Sequence, residues 1–157
     1  MTKTHMQDMV EFHEKFDLEY SDKPRSLPKE LSDFRIDFMR EELREYIKAS
    51  HILTLELGVA LETNQPPDQG VILEQLEDQL DGLVDLVYVA IGTAYLHGYG
   101  NRWQEAWDRV HAANMSKVRA ERAEDSKRGS TFDVVKPPGW VKPTHSDLVE
   151  DNIHNES

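Results

Sequence analysis

The 157-residue sequence contains no cysteine, which excludes disulfide bonds, zinc–thiolate sites and thiol nucleophiles. It also lacks a long hydrophobic run, because its most apolar stretch, Leu83–Leu96, is interrupted by Asp85 and is too short to span a bilayer. Residues 1–16 hold no continuous apolar segment of the kind that a signal peptide requires. These features predict a cytoplasmic protein.

Positive charge is scarce in the chain. Lysine and arginine together number 18 against 30 aspartate and glutamate residues, and the formal net charge is −12. A chain of this charge repels the backbone of nucleic acids and the surface of anionic membranes. We therefore expect neither as a partner, and a protein this acidic needs metal cations if it handles a polyanion.

Glycine and proline are also few, with 8 and 7 residues, and periodic apolar residues fill the stretches between them. This periodicity predicts helices over residues 3–17, 30–49, 71–97 and 102–118, and the helical pattern of 30–49 can continue to residue 62. Residues 119–135 are predicted to form a charged loop, and the prolines of 136–143 favour an extended segment. The sequence shows no internal repeat and no hairpin signal. We predict an all-α helical bundle of four to five helices, its core completed by homo-oligomerisation, with a domain over residues 1–143 and a polar tail over 144–157.

The helix predicted over residues 30–49 carries glutamates on its apolar side. At about 100° per residue, Glu42 and Glu45 share a face with Phe38 and Tyr46, and Glu41 lies at the border of that face. We therefore expect Glu42 and Glu45 to be buried. A buried lone carboxylate costs several kcal/mol unless it is paired or binds a metal.

The helix predicted over residues 71–97 carries a second acidic stripe. Four acids fall within roughly 60° of one another: Glu74, Asp78, Asp81 and Asp85. Asp85 interrupts an apolar run and is expected to be the most deeply buried. Because both helices carry the cost of buried carboxylates, we expect one ligand shared by the two helices to compensate it. Mg²⁺ is the natural candidate, because it is a hard cation that prefers oxygen ligands.

The same acids can also be accounted for without magnesium. Glu74 and Asp78 could be solvated at a helix edge. Arg35, or another basic residue, could neutralise Glu42 in an ordinary buried ion pair. A di-iron bundle needs Glu-x-x-His on two helices, and the sequence contains no such motif.

Several motifs occur in a fixed order along the chain. "EELREY" at 41–46 is followed by "DGLVDLVY" at 81–88, "NMSK" at 114–117 and "KPPGW" at 136–140. Together they resemble the all-α NTP pyrophosphatase superfamily, the MazG-like group that also includes dimeric dUTPases and phosphoribosyl-ATP pyrophosphohydrolases. The likeness covers residues 12–143 and is closest to small single-domain MazG-like proteins. Many of these are encoded by phages, in which case the host cytoplasm is the expected location.

The superfamily carries Glu-x-x-Glu on one helix and Glu-x-x-Asp on the next. Glu42 and Glu45 match the first half, and Asp85 matches the last position of the second half. Gly82 stands where the second half has its glutamate, so we expect Asp81, one turn before Asp85, to replace it. The resemblance implies that these four acids bind Mg²⁺, with Mn²⁺ as an alternative ion.

The resemblance also implies a reaction and an assembly. Superfamily members hydrolyse nucleoside triphosphates to the monophosphate and pyrophosphate, and they assemble as homodimers or homotetramers. Water would attack the α-phosphorus, with either Glu41 or Glu45 orienting or deprotonating it.

Four residues are predicted to bind the substrate: Asn114, Lys117, Lys136 and Trp140. Asn114 and Lys117 lie at i and i+3 on one helix face, and the resemblance implies that they contact the nucleotide. Lys117 suits a phosphate as a point charge. Lys136 and Trp140 could close over the nucleotide by charge and by base stacking, although Trp140 is equally consistent with a packing anchor.

Two further functions stay open on the sequence. The chain could be a non-catalytic acidic helical module that binds a protein partner or senses nucleotides. It could also be a dUTPase-like enzyme with a narrow choice of base. The sequence does not identify the preferred base, because the side chains that form a base pocket are scattered along the chain.

Overall fold

The computed structural model describes residues 3–18 and 20–150, and these residues are largely helical. Within them lie the helices α1 (His5–Lys15), α2 (Lys29–Thr63), α3 (Gln69–Leu96), α4 (Trp103–Met115) and α5 (Ser146–Val149). Two short strands, β1 (Val118–Arg119) and β2 (Val134–Val135), pair in antiparallel fashion. The all-α class predicted from the sequence is confirmed. The strand pair gave no hairpin signal because a long loop separates its two halves.

The described residues form two compact units. The first contains the described residues up to Ser21 together with Arg25–Gly98, and therefore α1, α2 and α3. The second contains Asp22–Pro24 and the described residues from Tyr99 onward, and therefore α4, the strand pair and α5. The domain boundary at residue 143 stays a prediction, and residues 151–157 of the predicted tail lie outside the described residues.

A long antiparallel helix pair forms most of the first unit. α2 runs unbroken through 35 residues, so the helical pattern of residues 30–49 does continue to residue 62, and it ends at Asn64, whose left-handed backbone (φ 52°) stops the helix. Asp68 begins α3, because its carboxylate accepts hydrogen bonds from the amides of Gly70 and Val71 at 2.8 and 3.3 Å. The short connection between these two caps makes α2 and α3 antiparallel neighbours.

The backbones of α2 and α3 come into contact at Gly82. A Cβ atom at this position would lie 3.1 Å from the amide nitrogen of Tyr46 and 3.4 Å from the carbonyl oxygen of Glu42. Both neighbours are backbone atoms, which cannot rotate away as a side chain can. The missing side chain of Gly82 therefore sets how closely, and at which level, the two acidic segments meet.

α1 packs against the second half of α3. Met9 is only 2% exposed, and the buried His13 ring lies edge-to-face with Tyr95, with ring centres 4.6 Å apart. Tyr20 stacks on Tyr95 with its ring centre 4.1 Å away. These contacts form the apolar end of the first unit.

Large apolar side chains also lie on the surface of α3. They lie on the side of the helix away from Gly82: Leu73, Leu76, Leu80, Leu83, Val84 and Val87. We call this set the α3 stripe. No helix in the described ranges has both the length and the hydrophobicity needed to cross a membrane.

In the second unit, an ion pair fastens α5 to α4. Arg109 donates two hydrogen bonds to the carboxylate of Asp147, at 2.6 and 2.7 Å, and another to the carbonyl oxygen of Thr144 at 2.9 Å. The hydrogen bonds and charge of Arg109 lower the pKa of Asp147 below its ordinary value. The described residues that follow position 143 are therefore tied to α4.

The contact at Gly82 yields a stability prediction. Replacing Gly82 by alanine should lower the free energy of unfolding by about 1–3 kcal/mol, because the added methyl group presses on the backbone of α2. Denaturant titration followed by circular dichroism measures this change.

Gly58→Ala is the matched control for this substitution. Gly58 also lies inside α2, but apart from the adjacent residues and the neighbouring backbone of α2 itself, no atom would lie within 4 Å of a Cβ atom at this position. Alanine at this position should stabilise the protein by about 0.5–1 kcal/mol, because it favours the helix. Equal stabilisation by both substitutions would show that the close approach at Gly82 is not a constraint.

Candidate acidic metal site

Acids of α2 and α3 gather at the level of Gly82. We call this group the acidic edge, and its members are Glu41, Glu42, Glu45, Asp81 and Asp85. Glu42 is 7% exposed and is the buried member, whereas the other four are exposed. Glu74 and Asp78, nearer the start of α3, are also exposed, as a solvated helix edge requires.

The predicted burial of Glu45 and Asp85 is wrong, because both residues are exposed. Helix geometry gives the reason. Glu45 is rotated by about 60° from Glu42 on α2, and Asp85 is rotated by the same angle from Gly82 on α3. In an antiparallel pair these two rotations lead to the same side of the interface. The two acids therefore line an open margin of the helix pair rather than its interior.

The charges of the acidic edge act on one another. Burial raises the pKa of Glu42 above its ordinary value, and the charges of Glu45, Asp85, Glu41 and Asp81 raise it further. Two of these four neighbours belong to α2 and two belong to α3. Acids of both helices therefore share one electrostatic environment.

No basic side chain neutralises the acidic edge within residues 3–18 and 20–150: none of its members forms an ion pair or hydrogen bond with an arginine or lysine there. Arg35, the expected rival, instead donates to the carbonyl oxygen of Val89 at 2.7 Å and to Oγ1 of Thr93 at 3.1 Å. An ordinary ion pair between Arg35 and Glu42 is therefore not formed.

The donor chemistry of the acidic edge suits a divalent cation. It offers only carboxylate oxygens, the ligands that Mg²⁺ and Mn²⁺ prefer. In the part of the chain that the structure describes, no three histidine, cysteine, aspartate or glutamate side chains converge into a ready-made metal cage. Mg²⁺ does not require one, because it commonly binds through one or two carboxylates together with waters and substrate phosphates. The residues therefore fit an ion that arrives with a phosphate ligand.

The four residues predicted to bind substrate all lie in the second unit, where the structure brings them together. Nζ of Lys117 donates to Oδ1 of Asn114 at 2.7 Å and lies 5.8 Å from the centre of the Trp140 ring. Nζ of Lys136 lies 4.4 Å from the same ring. The indole N–H of Trp140 donates to the carbonyl oxygen of Ala113 at 2.9 Å, as a packing anchor would. Contact of these residues with a nucleotide stays a prediction.

A cavity of about 470 Å³ in the first unit was not predicted from the sequence. Its lining includes the side chains of Phe34, Arg35 and Phe38 from α2, together with Tyr88 and Gly92 from α3. The sequence feature that accompanies this cavity is an arginine, Arg35, between Phe34 and Phe38, which lie one turn apart on the apolar face of α2. Such a pattern does not reveal that the facing helix leaves a cavity beside it.

Comparison with protein-family models matches residues 9–114 to the family described as phosphoribosyl-ATP pyrophosphohydrolase. The matched region begins within α1, ends within α4 and contains the whole acidic edge. Of the four predicted substrate-binding residues, it includes Asn114 and ends before Lys117. No curated protein matches the chain.

The raised pKa of Glu42 makes stability depend on pH. A carboxyl group whose folded-state pKa is raised favours folding while it is protonated, and this contribution is lost as the pH rises through the folded-state pKa. Glu42→Gln should therefore raise the Tm of the metal-free protein near pH 8, and the difference should vanish near pH 4. Calorimetry across this pH range measures the effect.

Asp78→Asn provides the matched control, because Asp78 is exposed and does not contribute to the raised pKa of Glu42. Its Tm should follow that of the unmodified protein at every pH. A lower Tm for Glu42→Gln at pH 8 would mean that the charge of Glu42 is compensated by a partner in the folded protein.

Proposed function

The chain belongs to the phosphoribosyl-ATP pyrophosphohydrolase family, and we therefore propose that it hydrolyses nucleoside triphosphates to the monophosphate and pyrophosphate. The family name supports a pyrophosphohydrolase that acts on a nucleotide phosphoanhydride. The acidic edge carries the proposal: carboxylates of two helices meet on one open margin that no described arginine or lysine neutralises. Such a surface accepts a polyphosphate only when cations lie between the two.

Glu42, Glu45, Asp81 and Asp85 would together hold one or more Mg²⁺ ions, or Mn²⁺ in their place, and members of the family typically depend on a divalent metal. When bound, the ion offsets phosphate charge and lowers the pKa of a bound water. The carboxylates supply negative charge from both helices, and three of the four are accessible from solvent. A metal-loaded nucleotide can therefore reach them without opening the helix pair.

The hydrolytic step joins a water oxygen to the α-phosphorus and breaks the bond between that phosphorus and the oxygen bridging to the β-phosphate. Pyrophosphate leaves with the electron pair of that bond. Glu41 or Glu45 would orient the water and accept its proton, because both are exposed beside Glu42. In the second unit, the ammonium groups of Lys117 and Lys136 lie near one indole ring, and we propose that they offer positive charge to a phosphate.

The α3 stripe is proposed as a contact between two copies of this chain. Leu73 and Leu80 are 66% and 65% exposed, and they align with four further apolar residues on the same face. A contiguous apolar surface of this kind typically marks a protein interface. A second copy is the proposed occupant because it presents the same stripe, so that each apolar surface covers the other about a two-fold axis.

Product analysis tests the proposed reaction. With Mg²⁺, a panel of ribo- and deoxyribonucleoside triphosphates should yield monophosphate and pyrophosphate. Glu45→Gln and Asp85→Asn should lower kcat/KM by about 10²-fold or more, while Asp78→Asn should leave it unchanged. Mg²⁺ should also raise the Tm of the unmodified protein more than that of Asp85→Asn, which reports binding separately from turnover.

Nucleoside diphosphate and orthophosphate as products would contradict the proposed bond cleavage. If neither Mg²⁺ nor Mn²⁺ supports turnover of any nucleotide in the panel, the non-catalytic module is favoured instead. Turnover confined to dUTP would identify the dUTPase-like alternative.

The proposed interface predicts that Leu80→Glu lowers the molar mass measured by light scattering to that of a single chain, because each copy places a charge in the shared apolar surface. Phe132→Glu is the control, since Phe132 is 95% exposed, belongs to the second unit and lies outside the α3 stripe. The proposed interface is wrong if Leu80→Glu keeps the molar mass of the unmodified protein.

A further inference from the structure

Arg35 is a partly buried cation without a carboxylate partner among the described residues. Its Nε donates to Oγ1 of Thr93 and its Nη2 donates to the carbonyl oxygen of Val89. Because a guanidinium carries five N–H groups, three of them have no acceptor in the described protein. Burial also lowers the pKa of Arg35. An acceptor-bearing ligand would satisfy these donors.

The cavity beside Arg35 has aromatic walls. Rings of Phe34 and Phe38 lie 5.9 Å apart, and the guanidinium carbon lies 5.5 Å from the centre of the Phe38 ring. Phe12 and Tyr88 also line the cavity, and their rings meet edge-to-face with centres 5.7 Å apart. A volume of about 470 Å³ is in the range of small-molecule sites. Aromatic walls with one forked donor suit a planar heterocycle that carries acceptors on its edge.

The position of this cavity relates it to the acidic edge. Arg35 precedes Glu42 by seven residues on α2, and Gly92 follows Asp85 by seven residues on α3. Both intervals are two helical turns, or about 10 Å along the helix axis. Because the helices are antiparallel, both intervals run in the same direction in space. The cavity therefore lies about one nucleoside's length from the acids proposed to bind the triphosphate.

We propose that this cavity binds the base of the substrate nucleotide and that Arg35 selects guanine. Guanine presents two neighbouring acceptors, O6 and N7, which an arginine fork contacts together. Adenine presents one acceptor and one amino donor at the same edge, so an N–H of Arg35 would face another N–H. This inference rests on the proposed pyrophosphohydrolase activity and adds the identity of the base.

The competing possibility is that Arg35 only ties α2 to α3. If Arg35 only ties the helices together, a change of Arg35 should lower kcat/KM by the same factor for every nucleotide. If Arg35 contacts the base, the change should alter the ratio of the kcat/KM values of different nucleotides. The ratio of kcat/KM for GTP to that for ATP is therefore the informative quantity.

Arg35→Lys tests the proposal, since lysine keeps the charge and loses the fork. The unmodified protein should prefer GTP over ATP, and Arg35→Lys should lower that preference by roughly tenfold, within the range expected for one two-point base contact. UTP and CTP serve as further arms of the panel. Arg40→Lys is the matched control, because Arg40 lies on the exposed side of the same helix and pairs with Asp37; it should keep the original ratio.

Gly92→Ala tests the same contact without altering Arg35. A Cβ atom at Gly92 would lie 3.1 Å from Nη2 of Arg35 and 3.3 Å from Sδ of Met9, so an added methyl group displaces the guanidinium. This variant should lower the GTP preference in the same direction as Arg35→Lys. It keeps the test decisive if Arg35→Lys does not fold.

Calorimetric binding of GMP and AMP separates this proposal from the proposed reaction. GMP should bind more tightly than AMP, and the difference should shrink in Arg35→Lys and in Gly92→Ala. If this binding pattern is found but no nucleotide is hydrolysed, the proposed hydrolysis is wrong and the proposed base site is supported. Turnover with equal binding of GMP and AMP, or with a GTP preference that neither variant changes, would refute the pocket and keep the hydrolase.

Discussion

The close approach of α2 and α3 at Gly82 is the constraint on which the candidate site depends. A side chain at this position would meet the backbone of Tyr46 and Glu42, so glycine lets the helices reach their observed separation without displacing that backbone. This contact also fixes the register of the pair. Glu42 and Glu45 then lie beside Asp81 and Asp85, and Arg35 lies beside Val89 and Thr93.

The same contact gives a physical account of why Gly82 departs from the superfamily pattern. A glutamate there would point into the backbone of α2 rather than toward a cation. Asp81 avoids this conflict because it is rotated by about 100° to the flank of α3, where it acts on the charge of Glu42. The acid can therefore move to the preceding position while the helices stay in contact.

The acidic edge opposes folding and supports binding through the same charges. Burial and four neighbouring acids disfavour the charged form of Glu42, and no described basic residue compensates. A cation that binds these acids would relieve their repulsion in the folded state and would thus stabilise the fold by linkage. Because the acids repel one another in the folded state unless a cation binds them, we connect this surface with a metal-loaded phosphate.

Sequence periodicity predicted the all-α class, the first half of α2 and the burial of Glu42, because these depend on local geometry and on the face that a residue occupies. It failed for Glu45 and Asp85, since a helical wheel gives a direction but not the position of the partner helix. The cavity at Arg35 escaped prediction for the same reason. Its walls come from three helices, and the free N–H groups are evident only once the acceptors on α3 are located.

The orientation proposed for the nucleotide follows from the charges at two levels of the helix pair, about two helical turns apart. Arg35 carries a single charge among aromatic side chains, and a triphosphate placed there would lose most of its hydration for one cation. The exposed acids of the acidic edge can bind several hydrated cations while the phosphates keep their waters. A base would lose little hydration at Arg35, because its ring is apolar on both faces. Its polar edge would gain hydrogen bonds from the guanidinium. The chain thus favours the base at Arg35 and the phosphates at the acidic edge.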